Sequence, residues 1–163
     1  MAKIILTGAS GLLGSHLVPL LSAGNELHIL SRTPVAMPEH PAVYHELDLC
    51  KDISLANLPA KADALVYLAQ SEKYRDFPAS AAEVFQVNTV QVVRLLEYAV
   101  KAGIKQFVYA SSGSVYANSD KSVSEQPDLP ATGMRGFYAS TKLCTEILAE
   151  TFATYMNVAL LRF

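Results

Sequence analysis

The chain has 163 residues, 51% of them hydrophobic and 17% charged, and a formal net charge of −2. That is one domain's length with ample material for a core, which excludes a disordered chain. No basic run offers a surface to nucleic acid, and the apolar runs are too short and interrupted to span a membrane.

Taken in order, Lys3–Leu17 (KIILTGASGLLGSHL) reads as a short apolar strand, a glycine-bearing turn and the opening of a helix. Met1-Ala2-Lys3 leads straight into that strand, so no leader is expected. Gly8, Gly11 and Gly14 recur every third residue. The first permits a sharp turn, the second close backbone approach to a pyrophosphate, and the third tight packing of helix on strand. The helix start then turns free N–H groups toward the anion. Dinucleotide binding is the reading these residues support. Helix Leu12–Ser22 contains Pro19, which removes one hydrogen bond and should kink it, and Gly24 stops it. Glu26–Leu30 is a second strand ending at Ser31-Arg32, and Thr33–Pro41, with three prolines, is a loop. Ala42–Tyr44 is read as a third strand and Lys51–Ala60 as a short, weak helix. Ala64–Ala69 (ALVYLA) has the continuous apolar run of a central parallel strand.

Gln70–Ser80 is polar and reads as a loop, followed by a long helix over Ala81–Ala102 closed by Gly103. Its apolar stripe (Val84, Phe85, Val87, Val90, Val92, Val93, Leu95, Leu96, Tyr98) is wider than one sheet face needs, which suggests a subunit interface. Gln106–Ala110 is the fifth strand, Ala117–Gly136 an irregular segment, Phe137–Tyr155 a helix and Val158–Phe163 a sixth strand. Alternating strands and helices imply an α/β fold: a Rossmann-like, doubly wound parallel sheet with helices on both faces. The whole of 1–163 is read as one cofactor-binding domain. Because ligands bind at strand ends in such sheets, a chain stopping at VALLRF is expected to be the front part of a longer protein.

Tyr138 and Lys142 lie four apart on a helix and share a face. A free phenol, with a pKa near ~10, is a weak base at neutral pH, and an adjacent ammonium favours its phenolate. Such a pair can move a proton to or from a substrate hydroxyl. Ser111-Ser112 follows the fifth strand at the carboxyl edge, where a hydroxyl can bond both substrate oxygen and tyrosine. Cys50 and Cys144 are far apart, and His16, His28, His40 and His45 make no helical ligand pair, so neither a disulfide framework nor a metal is expected. A reducing, cytoplasmic setting is the default.

TGASGLLG at 7–14, Asp48-Leu49, LVYLAQ at 65–70, Asn88, SSGSVY at 111–116 and YASTK at 138–142 occur in this order. Together they resemble an extended short-chain dehydrogenase/reductase of the NAD-dependent epimerase/dehydratase family, which includes nucleotide-sugar epimerases, sugar dehydratases and reductases. The resemblance implies that Gly8, Gly11 and Gly14, with Leu12 and Leu13 between them, line the pyrophosphate. It places Asp48 and Leu49 at the adenine, and Leu68, Ala69 and Gln70 along the ribose and nicotinamide. Asn88 and Ser111 complete the cofactor set. Ser112, with Ser114 as the alternative, is the catalytic hydroxyl position. Tyr138 is the acid/base, and Lys142 holds the nicotinamide ribose. A homodimer through helices 81–102 and 138–155 is also implied, with a small-molecule substrate, nucleotide-sugar or related.

Two positions depart from the family pattern. NAD-preferring members end the second strand on an acidic residue, whereas this chain has Ser31 and then Arg32. A missing carboxylate spares a 2′-phosphate repulsion and a guanidinium can bind it bidentately, so the cofactor is read as NADP or NAD with a lean to NADP. Gln91-Val92 stands where Gly-Thr is common. The expected activity is hydride transfer by an oxidoreductase or epimerase. The alternative is a cofactor-binding domain without catalysis, a redox sensor or scaffold, which has no need of a Ser112/Tyr138/Lys142 set.

Overall fold

Alternation along the strands sends one set of apolar side chains to each side of a sheet, and here both sides are used. The computed structural model describes residues 1–34, 41–116 and 136–163. Most of the proline loop and of the irregular segment expected over 117–136 lies outside the described residues. Strands β1 (Lys3–Thr7), β2 (Glu26–Ser31), β3 (Val43–Glu46), β4 (Ala64–Tyr67), β5 (Gln106–Ala110) and β6 (Asn157–Leu161) form one sheet in the order β3-β2-β1-β4-β5-β6. Every pairing is parallel. Helices are α1 (Leu12–Ser22), α2 (Ala81–Phe85), α3 (Gln91–Lys101) and α4 (Phe137–Glu150). This is the doubly wound α/β arrangement expected.

Ile5, Leu65, Tyr67, Phe107 and Tyr109 pack with Val92, Leu95, Leu96 and Ala99 of α3 in the larger core. Ile4, Leu6, Leu27, Ile29 and Val66 pack with Val18 of α1 on the other face. Each fully buried leucine contributes about 1.5–3 kcal/mol relative to an exposed one. Much of the wide stripe on the long helix is therefore spent inside the molecule. Of its residues only Phe85 is exposed, with Ile147 and Leu148 exposed on α4.

The long helix is interrupted by a π-helical turn, Gln86–Val90, between α2 and α3. Residues 51–60 form turns and no helix, against expectation. The reason lies in α3: Gln91 Nε2 donates to the Lys51 carbonyl, Arg94 Nη2 to that of Ile53 and the Tyr98 hydroxyl to that of Pro59. Carbonyls bonded from outside have no need of a local helix. Strand β4 also ends sooner than read, because the N–H groups of Leu68 and Ala69 turn to Thr7 Oγ1, each at 3.2 Å.

Candidate functional site

The chain runs from β1 outward to β2 and β3 on one side and to β4, β5 and β6 on the other. A crevice at the carboxyl ends of β1 and β4, where the order reverses, is the ligand position of such sheets. A cleft of about 720 Å³ lies there, within the ordinary size range of small-molecule sites. It is lined by Gly8, Gly11, Leu12, Leu13 and Gly14 of the turn, Ser31 and Arg32 after β2, and Asp48 and Leu49. Leu68, Ala69 and Gln70 after β4, Ser111 and Ser112 after β5, and Tyr138 and Lys142 of α4 complete the set read from sequence.

Asn88 is the exception. It is fully buried in the π turn, where its Oδ1 accepts from the Ser71 N–H at 3.1 Å and its Nδ2 donates to Thr141 Oγ1 at 3.1 Å. Both ends of the amide are committed to joining the loop after β4 to α4. Asn88 thus stands behind the cleft wall as a positioning residue, rather than on it.

At the glycine turn the geometry explains the residue type. Gly8 has φ +72°, and a Cβ there would sit 2.8 Å from the backbone of Leu68 and Ala69. A Cβ on Gly14 would lie 2.1 Å from the Gly8 carbonyl oxygen, so α1 is packed onto the turn as tightly as backbone allows. Gly11 at the N-cap has no side chain to cap the helix, and the first turn carries no acidic residue. These exposed N–H groups and the close-packed backbone fit the diphosphate of a dinucleotide.

The end of the cleft at Tyr138 and Lys142 is half-buried to buried. The Tyr138 hydroxyl donates to Gln70 Oε1 at 2.8 Å, and the Tyr74 ring lies 5.1 Å from the Tyr138 ring. Burial pushes the Tyr138 phenol above its ordinary value, while the Ser112 hydroxyl acts in the opposite direction. The sequence argument expected net lowering by lysine. Instead, Lys142 is itself buried: its Nζ donates to the Ala110 carbonyl at 2.8 Å and lies 5.8 Å from the Tyr138 ring centre. Desolvation brings its ammonium down to about 8, against the pull of Glu146. Ser112 Oγ is 2.8 Å from Ser114 Oγ and accepts from the Ser114 N–H, so the two candidate hydroxyls form one hydrogen-bonded unit.

Two residues that the sequence reading passed over support this end. Glu146, buried on α4, accepts Arg162 Nη2 at 2.7 Å and Nε at 3.0 Å, and takes the Ser111 hydroxyl as well. Glu146 lies one turn beyond Lys142, and that spacing was the available signal. Its partners come from distant segments and left no mark in sequence.

The end of the cleft at Arg32 is open. The Cys50 backbone N–H bonds Asp48 Oδ1 at 3.0 Å and holds that carboxyl below its ordinary value. Ser31 Oγ donates to the Thr33 carbonyl at 2.6 Å, and Arg32 Nη2 meets Glu72 Oε1 at 2.5 Å. Among the described residues, no group of three or more His, Cys, Asp or Glu is arranged to hold a metal, and no helix is long and apolar enough to cross a membrane.

Comparison with known proteins agrees with this geometry. The chain is 28% identical to a 3-beta-hydroxysteroid dehydrogenase of Mycolicibacterium neoaurum, over 96% of this chain and 44% of that protein. It is 26% identical to a UDP-glucose 4-epimerase of Mus musculus, over 100% of this chain and 53% of the relative. The solved structure of MoeE5 in complex with UDP-glucose and NAD superposes with a TM-score of 0.82 at 32% identity, covering 99% of this chain and 54% of that one. The chain thus spans about half the length of the relatives it matches. Residues 4–163 match the NAD dependent epimerase/dehydratase family, and the chain belongs to it.

Proposed function

We propose that the protein is an NAD(P)-dependent oxidoreductase or epimerase acting on a nucleotide-sugar or a related hydroxyl/carbonyl substrate. In this reading residues 1–163 are its cofactor-binding domain, and the part that binds substrate lies outside this chain. The observation that carries the reading is the convergence of Ser112, Tyr138 and Lys142 on the same cleft as the glycine turn. The matched UDP-glucose 4-epimerase and the MoeE5 complex with UDP-glucose and NAD support the substrate class and the cofactor.

A nicotinamide dinucleotide, when bound, supplies hydride transfer. The residues of this chain do the rest. The α1 N-terminus and the turn at Gly8–Gly14 hold the diphosphate. Tyr138, a phenol already protonated at neutral pH at its ordinary value and held further so by burial, gives its hydroxyl proton to a carbonyl oxygen and takes it back in the reverse direction. Ser112 bonds that same oxygen and orients it. The Lys142 ammonium, held by the Ala110 carbonyl, offers its remaining donors to the ribose. A homodimer through helices 81–102 and 138–155 covers Phe85, Ile147 and Leu148, and the protein works in the cytoplasm.

Tyr138→Phe in the whole protein tests the assignment, with interconversion of UDP-glucose and UDP-galactose as the assay. The turnover rate should fall by roughly 10²–10⁴-fold, the usual worth of a positioned acid/base, while NADH affinity stays within about twofold. Full activity in the variant would remove Tyr138 from the mechanism. A wild-type protein that binds cofactor yet acts on no nucleotide-sugar or carbonyl compound would favour the non-catalytic sensor or scaffold.

A further inference from the structure

Three carboxylates line the cleft among the described residues: Asp48, Glu72 and Glu83. Asp48 is engaged by the Cys50 N–H, and Glu83 by Lys73 Nζ at 2.7 Å and Ser71 Oγ at 3.1 Å. Glu72 alone reaches across the cleft, from the loop after β4 to Arg32 after β2. The cations on the same walls are spoken for as well. Lys142 is buried on the Ala110 carbonyl and Lys73 is paired with Glu83, which leaves Arg32 as the cation at the open adenosine end. Ser31, beside it, turns its hydroxyl to the Thr33 carbonyl.

We propose that Glu72 is a specificity-determining residue that disfavours a phosphate on the adenosine 2′-oxygen. It supplies, from the opposite wall, the negative charge that the end of β2 lacks. The proposal rests on the reading of the cleft as a nicotinamide dinucleotide site.

The physical argument is one of competition. A 2′-phosphate dianion seeking Arg32 must displace the Glu72 carboxylate and then remain beside a like charge, whereas an uncharged ribose diol meets neither cost. Both side chains are mostly exposed, 58% for Arg32 and 77% for Glu72, so the bridge yields readily and its exchange is decided by what arrives. An exposed pair adds little to stability, which makes it free to serve selectivity.

The test is a titration of wild type, Glu72→Gln, Arg32→Gln and the double variant with NADH and with NADPH, following nicotinamide fluorescence. Glu72→Gln should tighten NADPH binding roughly tenfold, the effect of one screened charge at close range, and leave NADH within about twofold. In the Arg32→Gln background the same substitution should gain less than half as much on the logarithmic scale. If Glu72→Gln shifts both dinucleotides by one factor, or shifts neither while both still bind, the proposal is overturned and the cofactor reading survives. If no dinucleotide binds any of the four proteins, the cofactor reading falls and takes the proposal with it.

Discussion

Among the described residues two arginine–glutamate pairs, one on the cleft wall and one buried behind Ser111, differ in almost everything except chemistry. Arg32–Glu72 is exposed, single-pointed and 2.5 Å long. Arg162–Glu146 is slightly longer at 2.7 Å, yet its glutamate side chain is 2% exposed and is gripped by two guanidinium nitrogens and the Ser111 hydroxyl. Distance therefore ranks the pairs the wrong way round. Surroundings decide: water competes for both members of the first pair, while removing one member of the second strands a charge in the interior.

The sharpest way to break this comparison is Arg162→Ala, which leaves buried Glu146 with the Ser111 hydroxyl as its hydrogen-bond partner among the described residues. A loss of about 3–5 kcal/mol is expected from the urea midpoint; a loss below 1 kcal/mol would put both pairs in one class. Replacing both members with apolar residues, Glu146→Leu with Arg162→Met, should recover part of that loss, since no charge is then left unpaired.

Next in size is a pH effect at the buried end. Lys142 titrates at about 8 in the folded protein and near ~10.4 unfolded, so between these values the unfolded chain binds the extra proton. Stability should rise with pH across this window, by at most about 1.4 kcal/mol per unit, and be lost again as pH falls through 8. Burial raises the phenols of Tyr67 and Tyr109 and brings that of Tyr98 to about 12. These act with the opposite sign, removing stability above pH ~10, where they ionise only in the unfolded chain. Urea melts of wild type and Lys142→Met at pH 8, 9 and 10 isolate the lysine: the rise should disappear in the variant, leaving the fall set by the raised Cys50 thiol and the phenols.

The smallest effect is expected at the open end. Glu72→Gln and Arg32→Gln should each change stability by under about 1 kcal/mol, and less still at high salt. A larger loss would mean that the exposed bridge is structural, in contrast to the role argued for it.

How much of this was legible in the sequence follows the same division between near and far. The glycine turn and the Tyr138/Lys142 pair announce themselves because their geometry is local, set by φ at one residue and by one turn of helix. The doubly wound parallel sheet followed from the alternation of strands and helices, while its strand order comes from the structure. Contacts between distant segments stayed hidden. Gln70 on the Tyr138 hydroxyl, Glu72 on Arg32 and Arg162 on Glu146 each depend on the folded sheet. Residues 51–60 illustrate the cost: their propensity suggested a helix, and side chains of α3 bonded the carbonyls that such a helix would have used. Asn88 was assigned to the right neighbourhood by resemblance, but burial and two amide bonds set it one layer back.

The position of β1 in the middle of the sheet has a consequence for how the molecule is assembled. Lys3 pairs with Glu26 early in the chain, but Ile4 must wait for Ala64 before β1 has its other neighbour. β5 in turn waits for Asn157. All the pairings are parallel, so each closes a long loop before any contact rewards it, which places folding toward the slow end for domains of this size. A growing polypeptide would hold the glycine turn half-walled until the residues after β4 emerge, and would gain its tyrosine and lysine only once α4 has emerged.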